Sequence, residues 1–219
     1  MAIAFVQSAH AVAAAQPISV TLTFTAGNWM IVGATYSTGT TTISGGGNTY
    51  TLLAGMPATI PTVSLLDVWY SENIAGGSVT VTISGGAGTS RLTVAEYSGL
   101  ATSASLDVQN STVATGTSTT PTSNAITTTN ANDLIITATG IGSSTTWTAG
   151  TGYTMRDPAP AVTYRVGVED KIVSSIQTNI TATATIGAST GWACPIAAFK
   201  AAGGAAAVIN LQMLTGVGT

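Results

Sequence analysis

Two stretches of the chain decide its fold: TFTAGNWMIVGAT at residues 23–35 and TTTNANDLIITAT at residues 127–139. At an offset of 104 positions they share identical residues at several places, among them Asn28 with Asn132 and Ile31 with Ile135. Val, Ile and Thr recur in short runs here and elsewhere, which is typical of strands. The pair therefore predicts a β-rich unit that occurs twice in the chain.

Further matches keep the same order along both halves of the chain. Val6-Gln7 corresponds to Val108-Gln109, and Tyr50-Thr51 corresponds to Tyr153-Thr154. We interpret residues 3–100 and 101–201 as two duplicated halves. Because Val6-Gln7 has a counterpart deep inside the chain, we expect residues 3–8 to form a strand of the fold and not a cleaved leader.

The strand pattern indicates sheets packed on sheets. Residues 79–83 alternate strictly, with Val79, Val81 and Ile83 on one face. No window predicts an amphipathic helix that could cover a sheet, so the sheets must cover each other. We expect an all-β fold, a jelly-roll-like antiparallel β-sandwich made of two duplicated halves and spanning residues 1–201. The alternative is two separate immunoglobulin-like domains.

Charge is scarce in this sequence. Charged residues make up 6% of the 219 positions, and the five Lys and Arg residues are scattered. Since phosphate backbones are bound by clustered cations, we expect no nucleic-acid partner. Low charge also removes a usual protection against self-association, which favours a homo-oligomer. No run reaches the roughly 18 apolar residues that span a bilayer.

The residues that usually carry chemistry are sparse. His10 is the only histidine and lies in an Ala-rich segment without a nucleophile-elbow motif, so a Ser-His-Asp triad is not indicated. Cys194 is the only cysteine, which excludes an intrachain disulfide, and its apolar surroundings in sequence predict a buried side chain. We predict a non-enzymatic protein with no catalytic residue, no metal site and no cofactor.

Acidic residues suggest two kinds of site, a glycosidase-like carboxylate pair and a calcium site, and the sequence supports neither strongly. Glu72 and Glu96 can meet across neighbouring strands as a glycosidase pair would, but we expect them at surface or strand-end positions. Glu169 and Asp170 can join loop carbonyls around calcium, but the sequence lacks the dense Asp/Asn/Gly loop of such sites.

Three aromatic residues are candidates for glycan binding. Trp147 lies in the hydroxyl-rich segment 143–148 and close in sequence to Tyr153. Trp69 is adjacent to Tyr70 in a predicted strand, so the two point to opposite faces and we expect one of them to be exposed. Exposed rings among hydroxyls can stack on sugars, although the same rings can instead cap the core at strand ends.

The C-terminal segment, residues 202–219, has no counterpart in the first half. Gly203-Gly204 interrupts the pattern of the last strand, and apolar residues follow. We name residues 202–219 the C-terminal arm; its large apolar side chains are Val208, Ile209, Leu211, Met213 and Leu214. Since apolar side chains need cover, the arm either folds back on its own chain or docks on a neighbouring copy.

Several turn and strand motifs resemble those of a poorly characterised family of β-sandwich domains found in bacteriophage structural proteins and bacterial surface proteins. The motifs are Gly47-Asn48-Thr49-Tyr50-Thr51, Asn73-Ile74-Ala75-Gly76-Gly77, Ala95-Glu96-Tyr97-Ser98-Gly99-Leu100, Asn130-Ala131-Asn132-Asp133-Leu134 and Ala198-Phe199-Lys200-Ala201. The resemblance covers residues 3–201 and implies a β-sandwich, and it identifies no catalytic residues.

The resemblance also implies an exposed location. The start at Met1, without a secretion signal, favours a virion surface, where the chain serves as a capsid decoration, spike or fibre subunit and binds copies of itself and other virion proteins. The alternative is a carbohydrate-binding or adhesion module of a phage or bacterial surface protein, which is extracellular or at the cell surface.

Overall fold

The computed structural model describes residues 1–62, 64–143, 145–156 and 165–203, with Arg165 described for its backbone alone. Every regular element in this part of the chain is a strand, which confirms the predicted all-β class. The strands of the first half are β1 (Ala4–Ala13), β2 (Ile18–Phe24), β3 (Trp29–Tyr36), β4 (Thr38–Ser44), β5 (Thr51–Leu52), β6 (Ala58–Ile60), β7 (Ser64–Ser71), β8 (Gly77–Ala87) and β9 (Ser90–Ser98).

The second half continues the same way. Its strands are β10 (Leu106–Gln109), β11 (Ala114–Ser118), β12 (Asn132–Ile141), β13 (Trp147–Ala149), β14 (Thr154–Arg156), β15 (Arg165–Ser174), β16 (Ala184–Ile186), β17 (Thr190–Cys194) and β18 (Ala197–Lys200). Alternation of apolar and polar residues does not predict β4 and β11, which are rich in Thr and Gly, or β6 and β13, which are three residues long.

Four antiparallel sheets pack as four layers. The first inner sheet has the order β1-β9-β3-β7-β5, with β6 also paired to β7. The second inner sheet has the order β10-β18-β12-β15-β14, extended by β17 and β11. The first outer sheet, β2-β8-β4, covers the free face of the first inner sheet, and the second outer sheet, β13-β16, covers that of the second.

Apolar side chains hold these layers together in three clusters. The first outer sheet packs Val20, Val81 and Ile83 against Met30 and other residues of the first inner sheet. On the far side, Ile186 packs with Ile135 of the second inner sheet. The largest cluster lies between the two inner sheets and draws residues from both halves. The sandwich architecture is therefore confirmed as two stacked sandwiches that share a central core, whereas a jelly-roll topology is not confirmed.

The contact between the two inner sheets, here called the seam, is reciprocal. Tyr97 of β9 donates a hydrogen bond to Asp170 of β15 at 2.6 Å, and Phe199 of β18 contacts Tyr70 of β7 with ring centroids 4.9 Å apart. In the two strand orders, β9 holds the place of β18 and β7 that of β15. The second strand of the first inner sheet thus contacts the fourth strand of the second, and the second strand of the second inner sheet contacts the fourth strand of the first. This reciprocity is also found in an isologous interface between two subunits.

Glycine lets the central strands β3 and β12 approach closely at the seam. A Cβ on Gly140 would lie 2.6 Å from Ile60 Cδ1 and 3.1 Å from Thr35 Cγ2. A Cβ on Gly33 would lie 2.8 Å from Val166 Cγ2. Since real carbon atoms do not approach to such distances, a larger residue at either place would push the two sheets apart.

Burial of both faces of the inner sheets overturns one expectation about aromatic residues. Trp69 is 5% exposed and Tyr70 is 9% exposed, so neither ring of the pair reaches solvent. The rings do point to opposite faces, as expected: Trp69 packs under the first outer sheet and Tyr70 lies in the seam. The expectation that one of them is exposed was wrong because this sheet has a second layer on each side.

Candidate functional site

A cavity of the described chain opens at one end of the seam and is here called the seam groove. Its volume is about 600 Å³. The first half contributes the N-terminal residues Met1 to Ile3, and the second half contributes the starts and ends of β12, β15 and β18. The lining residues are Met1, Ala2, Ile3, Asn132, Ile172, Val173, Ser174, Ala201 and Ala202.

Apolar side chains at this groove are open to solvent. Met1 is 87% exposed and Ile172 is 45% exposed, although Ile172 pairs across the strands with Leu134, which is fully buried. Ile176, just beyond β15, is 58% exposed. The inner face of the second inner sheet therefore extends past the edge of the first half and remains partly uncovered. Uncovered apolar patches of this kind mark places where other chains bind.

The C-terminal arm begins at this groove. Ala201 pairs with Leu100 in an isolated bridge, and the Ala202 N–H donates to the Gly99 carbonyl at 2.8 Å. These contacts fix the direction in which the chain leaves β18. The apolar residues of the arm, Val208, Ile209, Leu211, Met213 and Leu214, lie outside the described residues.

Two of the three glycan-binding candidates come together on the second half. Trp147 of β13 and Tyr153 are both half-buried and pack on the core beneath the second outer sheet. The Trp147 indole N–H donates to Glu169 Oε1 at 2.6 Å, and the Tyr153 hydroxyl donates to the Thr181 carbonyl at 3.2 Å. The third candidate, Trp69, is buried in the core of the first half, so the structure does not place it with the other two.

Glu169 is the charged group at the centre of this aromatic cluster. Burial raises the pKa of its carboxyl to about 7, against the hydrogen bonds from Trp147 and Gly150, which lower it. Lys171 lies with its Nζ 5.8 Å from the centroid of the Tyr153 ring. Two aromatic rings and an ionisable carboxyl thus lie in one cluster. The polar atom of each ring is already engaged in a hydrogen bond within the protein.

The remaining acidic candidates are engaged inside the fold. Glu72 accepts hydrogen bonds from the backbone and side chain of Ser105 at 2.6 and 2.5 Å. Glu96 is fully buried and accepts from the Thr25 N–H at 2.9 Å and from Asn28 Nδ2 at 2.7 Å, so the expectation of a surface or strand-end position for Glu96 was wrong. Glu96 therefore does not line an open cleft, which a glycosidase-like pair requires.

Glu169 and Asp170 do not converge on a common ligand. Both lie within β15, and consecutive strand residues point to opposite faces. Glu169 contacts Trp147 on the outer side, whereas Asp170 lies in the seam, where Arg156 Nε donates to it at 2.7 Å. In the described part of the chain, no group of three or more His, Cys, Asp or Glu residues is arranged to hold a metal ion.

Cys194 is buried, as expected from its sequence neighbours. Burial raises the pKa of its thiol to about 11, against hydrogen bonds with Thr139 and Thr137. The side chain is therefore a neutral core residue at ordinary pH.

A second carboxyl pair lies close to the exit of the arm. Asp133 at the start of β12 is fully buried, and neither of its carboxyl oxygens accepts a hydrogen bond from an N–H or hydroxyl donor of the described residues. Its neighbour is the carboxyl of Asp107 on β10. Burial, together with the hydrogen bond and charge of Asp107, raises the pKa of Asp133 to about 7, while Lys200 opposes the shift. The pair therefore favours a shared proton near neutral pH.

The surface of the described chain has an unusual charge distribution. Asp67, Arg91, Glu96, Asp133, Glu169 and Asp170 are buried. The other charged side chains that the structure describes are half-buried: Glu72, Asp107, Arg156, Lys171 and Lys200. Among the described residues, then, no charged side chain is fully exposed. The composition indicated few charged residues, but only the fold shows that six of those described are buried and the other five half-buried.

Comparisons of the chain with protein-family models, with curated proteins and with solved structures find no match. Within the part of the chain that the structure describes, there is no helix of the length and apolar character needed to cross a membrane.

Proposed function

We propose that the protein is a non-enzymatic structural component of a virion surface, a capsid decoration, spike or fibre subunit that assembles with copies of itself and with other virion proteins. One observation carries the proposal: none of the described charged side chains is fully exposed. Its exterior is instead rich in hydroxyls, as on the first outer sheet, where Thr21 pairs with Thr80 and Ser19 with Thr82.

The physical reason is that exposed like charges keep soluble proteins apart. A surface with few of them has less of this repulsion and buries less unpaired charge when two copies meet. Hydroxyl groups can exchange water for hydrogen bonds across a contact at little cost. Such a surface is suited to close packing among neighbours.

The location follows from the resemblance of residues 3–201 to β-sandwich domains of bacteriophage structural proteins. The motifs that carry it lie in turns and strands of the observed fold, including the turn after Gly45 and the strands β9 and β18. The seam groove at the exit of the C-terminal arm offers an attachment surface for such an assembly.

The mass of the purified protein in solution tests the assembly. We expect a trimer or larger species in analytical ultracentrifugation at micromolar concentration, and co-purification of the chain with particles from cells that encode it. Association should depend weakly on salt, since few exposed charges are available to be screened. A monomer at every concentration, combined with absence from purified particles, would contradict the proposal.

Glycan binding in adhesion is the second candidate function. The observation that favours it is the placement of Trp147 and Tyr153, both half-buried, in one cluster with Glu169. Specific binding on a glycan array, lost in Trp147→Ala but kept in Tyr50→Phe on the first half, would favour adhesion over a purely structural role.

A further inference from the structure

We propose that the seam groove binds the C-terminal arm of a neighbouring copy, so that the arms are exchanged between subunits. The inference rests on the proposed function, because it names the contact through which copies assemble. It commits to residues 208–214 of a second copy as the occupant.

The groove has the character of a binding site for an apolar segment. Met1, Ile3 and Ile172 form its apolar lining, and two of these, Met1 and Ile172, are exposed to solvent. The small residues Ala201 and Ala202 leave room at its edge. No Asp, Glu, Lys or Arg side chain belongs to its lining, and the charge at its rim is the N-terminal ammonium of Met1, a residue that is 87% exposed.

The sequence of the arm matches this surface. Five large apolar residues, Val208, Ile209, Leu211, Met213 and Leu214, occur within seven positions, and residues 201–219 contain no charged side chain. An apolar segment of this kind gains free energy when it leaves water, in proportion to the apolar area that it buries. The groove lies where the arm leaves β18, at Ala201 and Ala202.

The spacer before the apolar residues is long enough to reach a neighbouring copy. Residues 203–207 are Gly-Gly-Ala-Ala-Ala, and the chain already touches the groove at Ala201 and Ala202. A return into the same groove needs only a tight turn. Five small residues can instead span about 17 Å when extended, which suits a crossing to an adjacent subunit. Exchange of identical segments between identical grooves then closes an assembly at low cost.

Single charges placed at the two partners test the contact in the full-length protein. Ile172→Asp in the groove and Leu211→Asp in the arm should each weaken self-association by more than about tenfold in sedimentation experiments, because each buries a carboxylate in an apolar contact. Val12→Asp is the matched control: Val12 is 41% exposed, close to the value for Ile172, but lies at the far end of β1. Thermal unfolding of all three variants checks that they fold.

Crosslinking decides which copy supplies the arm. Ile172→Cys and Leu211→Cys are made on separate chains, mixed and treated with a short bismaleimide; the native Cys194 is buried and should not react. We expect covalent dimers that join the two variants. If the double variant instead crosslinks within single chains, the arm folds back and exchange is refuted.

The two proposals fail in different ways. If the wild-type protein assembles, and Ile172→Asp and Leu211→Asp assemble as well as Val12→Asp, the groove and arm are not the contact, yet the structural function stands. If the wild-type protein is monomeric and absent from particles, the proposed function fails together with the exchange.

Discussion

The two outer sheets differ although the inner sheets that they cover have the same strand order. The first outer sheet consists of three strands of seven to eleven residues, β2, β8 and β4. The second consists of two paired strands of three residues, β13 and β16, and beside them lie isolated bridges such as Thr122 with Thr183. Similar sheets can therefore be covered by layers of very different regularity.

Side-chain size accounts for much of the difference. The first outer sheet contributes Ile18, Val20, Val81 and Ile83 to its core, a continuous apolar surface. The second contributes Ala184, Ile186 and the half-buried ring of Trp147, and the neighbouring Ala182 and the half-buried ring of Tyr153 lie in the same core. Small side chains bury less apolar area, so they stabilise long regular strands less well. The aromatic rings supply the area that the alanines do not.

A truncation in each outer sheet should produce the largest contrast between the halves. Ile83→Ala in the first removes a fully buried side chain from a closely packed layer and should lower the free energy of unfolding by about 2–5 kcal/mol. Ile186→Ala, 1% exposed in the second, should cost less than about 2 kcal/mol, because a short, irregular layer can collapse into the space. Urea denaturation measures both.

An equal decrease in the free energy of unfolding for the two variants would mean that the second outer sheet packs as rigidly as the first. The m-value serves as the check, since an unchanged slope shows that both variants unfold from a similarly compact state.

The halves also differ in how they hold the turn that precedes their central strand. In the first half, the Thr25 N–H donates to the buried Glu96 of β9. In the second, the Thr129 N–H donates to Asp107 of β10 at 2.7 Å. Burial alone would raise the pKa of Asp107, but hydrogen bonds from Thr129 and Asn130 and the bond with Asp133 lower it. The second half thus adds a neighbouring carboxyl, Asp133, that the first half lacks at this turn.

This added carboxyl predicts a pH dependence of stability. The pKa of Asp133 is raised in the folded state to about 7, so ionisation costs the folded state more than the unfolded one. The contribution of Asp133 to the free energy of unfolding is therefore largest below about pH 4 and decreases as the pH rises towards 7. Asp133→Asn removes this slope and should stabilise the protein at pH 8 by about 1–3 kcal/mol.

Thermal melts between pH 4 and pH 8 measure the effect. Burial raises the pKa of Glu169 and of Asp67 as well, so the wild-type slope contains their contributions, and only the part due to Asp133 should disappear. Asp107→Asn serves as the comparison, because it should destabilise the turn by replacing one of the two carboxylate oxygens that accept hydrogen bonds from Thr129 and Asn130 with a donor. A profile of Asp133→Asn parallel to that of the wild type would contradict the assignment.

The smallest effect is expected on the hydroxyl pairs of the outer sheets. Thr21 and Thr80 lie opposite each other on the first outer sheet with their hydroxyl oxygens 2.8 Å apart. Thr21→Ala should cost about 0.2–1 kcal/mol. Thr148→Ala on the second outer sheet should cost less, since Thr148 has no side-chain hydrogen bond among the described residues. A double-mutant cycle on Thr21 and Thr80 isolates the pair, and zero coupling would rule the pair out as a stabilising contact.

Local sequence patterns predicted the all-β class because a half-buried strand alternates apolar and polar residues. The alternation of Val79, Val81 and Ile83 correctly placed these three side chains on one buried face of β8. The sequence offset that relates the two central strands, β3 and β12, was harder to determine. Trp29 and Ile31 face the seam from β3, whereas Leu134 and Ile136 face it from β12, so an offset of 104 aligns residues on opposite faces. A slip of one residue is nearly invisible in Thr- and Ala-rich sequence, yet it reverses every side chain.

The duplication itself stays a prediction, although the matching strand orders and the reciprocal seam support it. Irregularities also recur: the pairing of β1 with β9 shifts between Phe5 and Gln7, and that of β10 with β18 shifts between Leu106 and Val108. Of the candidate sites, sequence identified the cluster of Trp147 and Tyr153 but gave no sign of the seam groove, whose lining comes from the two ends of the described chain and from β12 and β15 between them.

By itself, the sequence determined the all-β class, the strand faces of β8 and the burial of Cys194, because each depends on residues that are neighbours along the chain. Only the tertiary structure decided that both faces of the inner sheets are covered, that Trp69 and Tyr70 are both buried, and that Glu96 and Asp133 lie inside. Alternation along a strand tells which side chains share a face, but the layer that covers the face comes from residues far away in sequence.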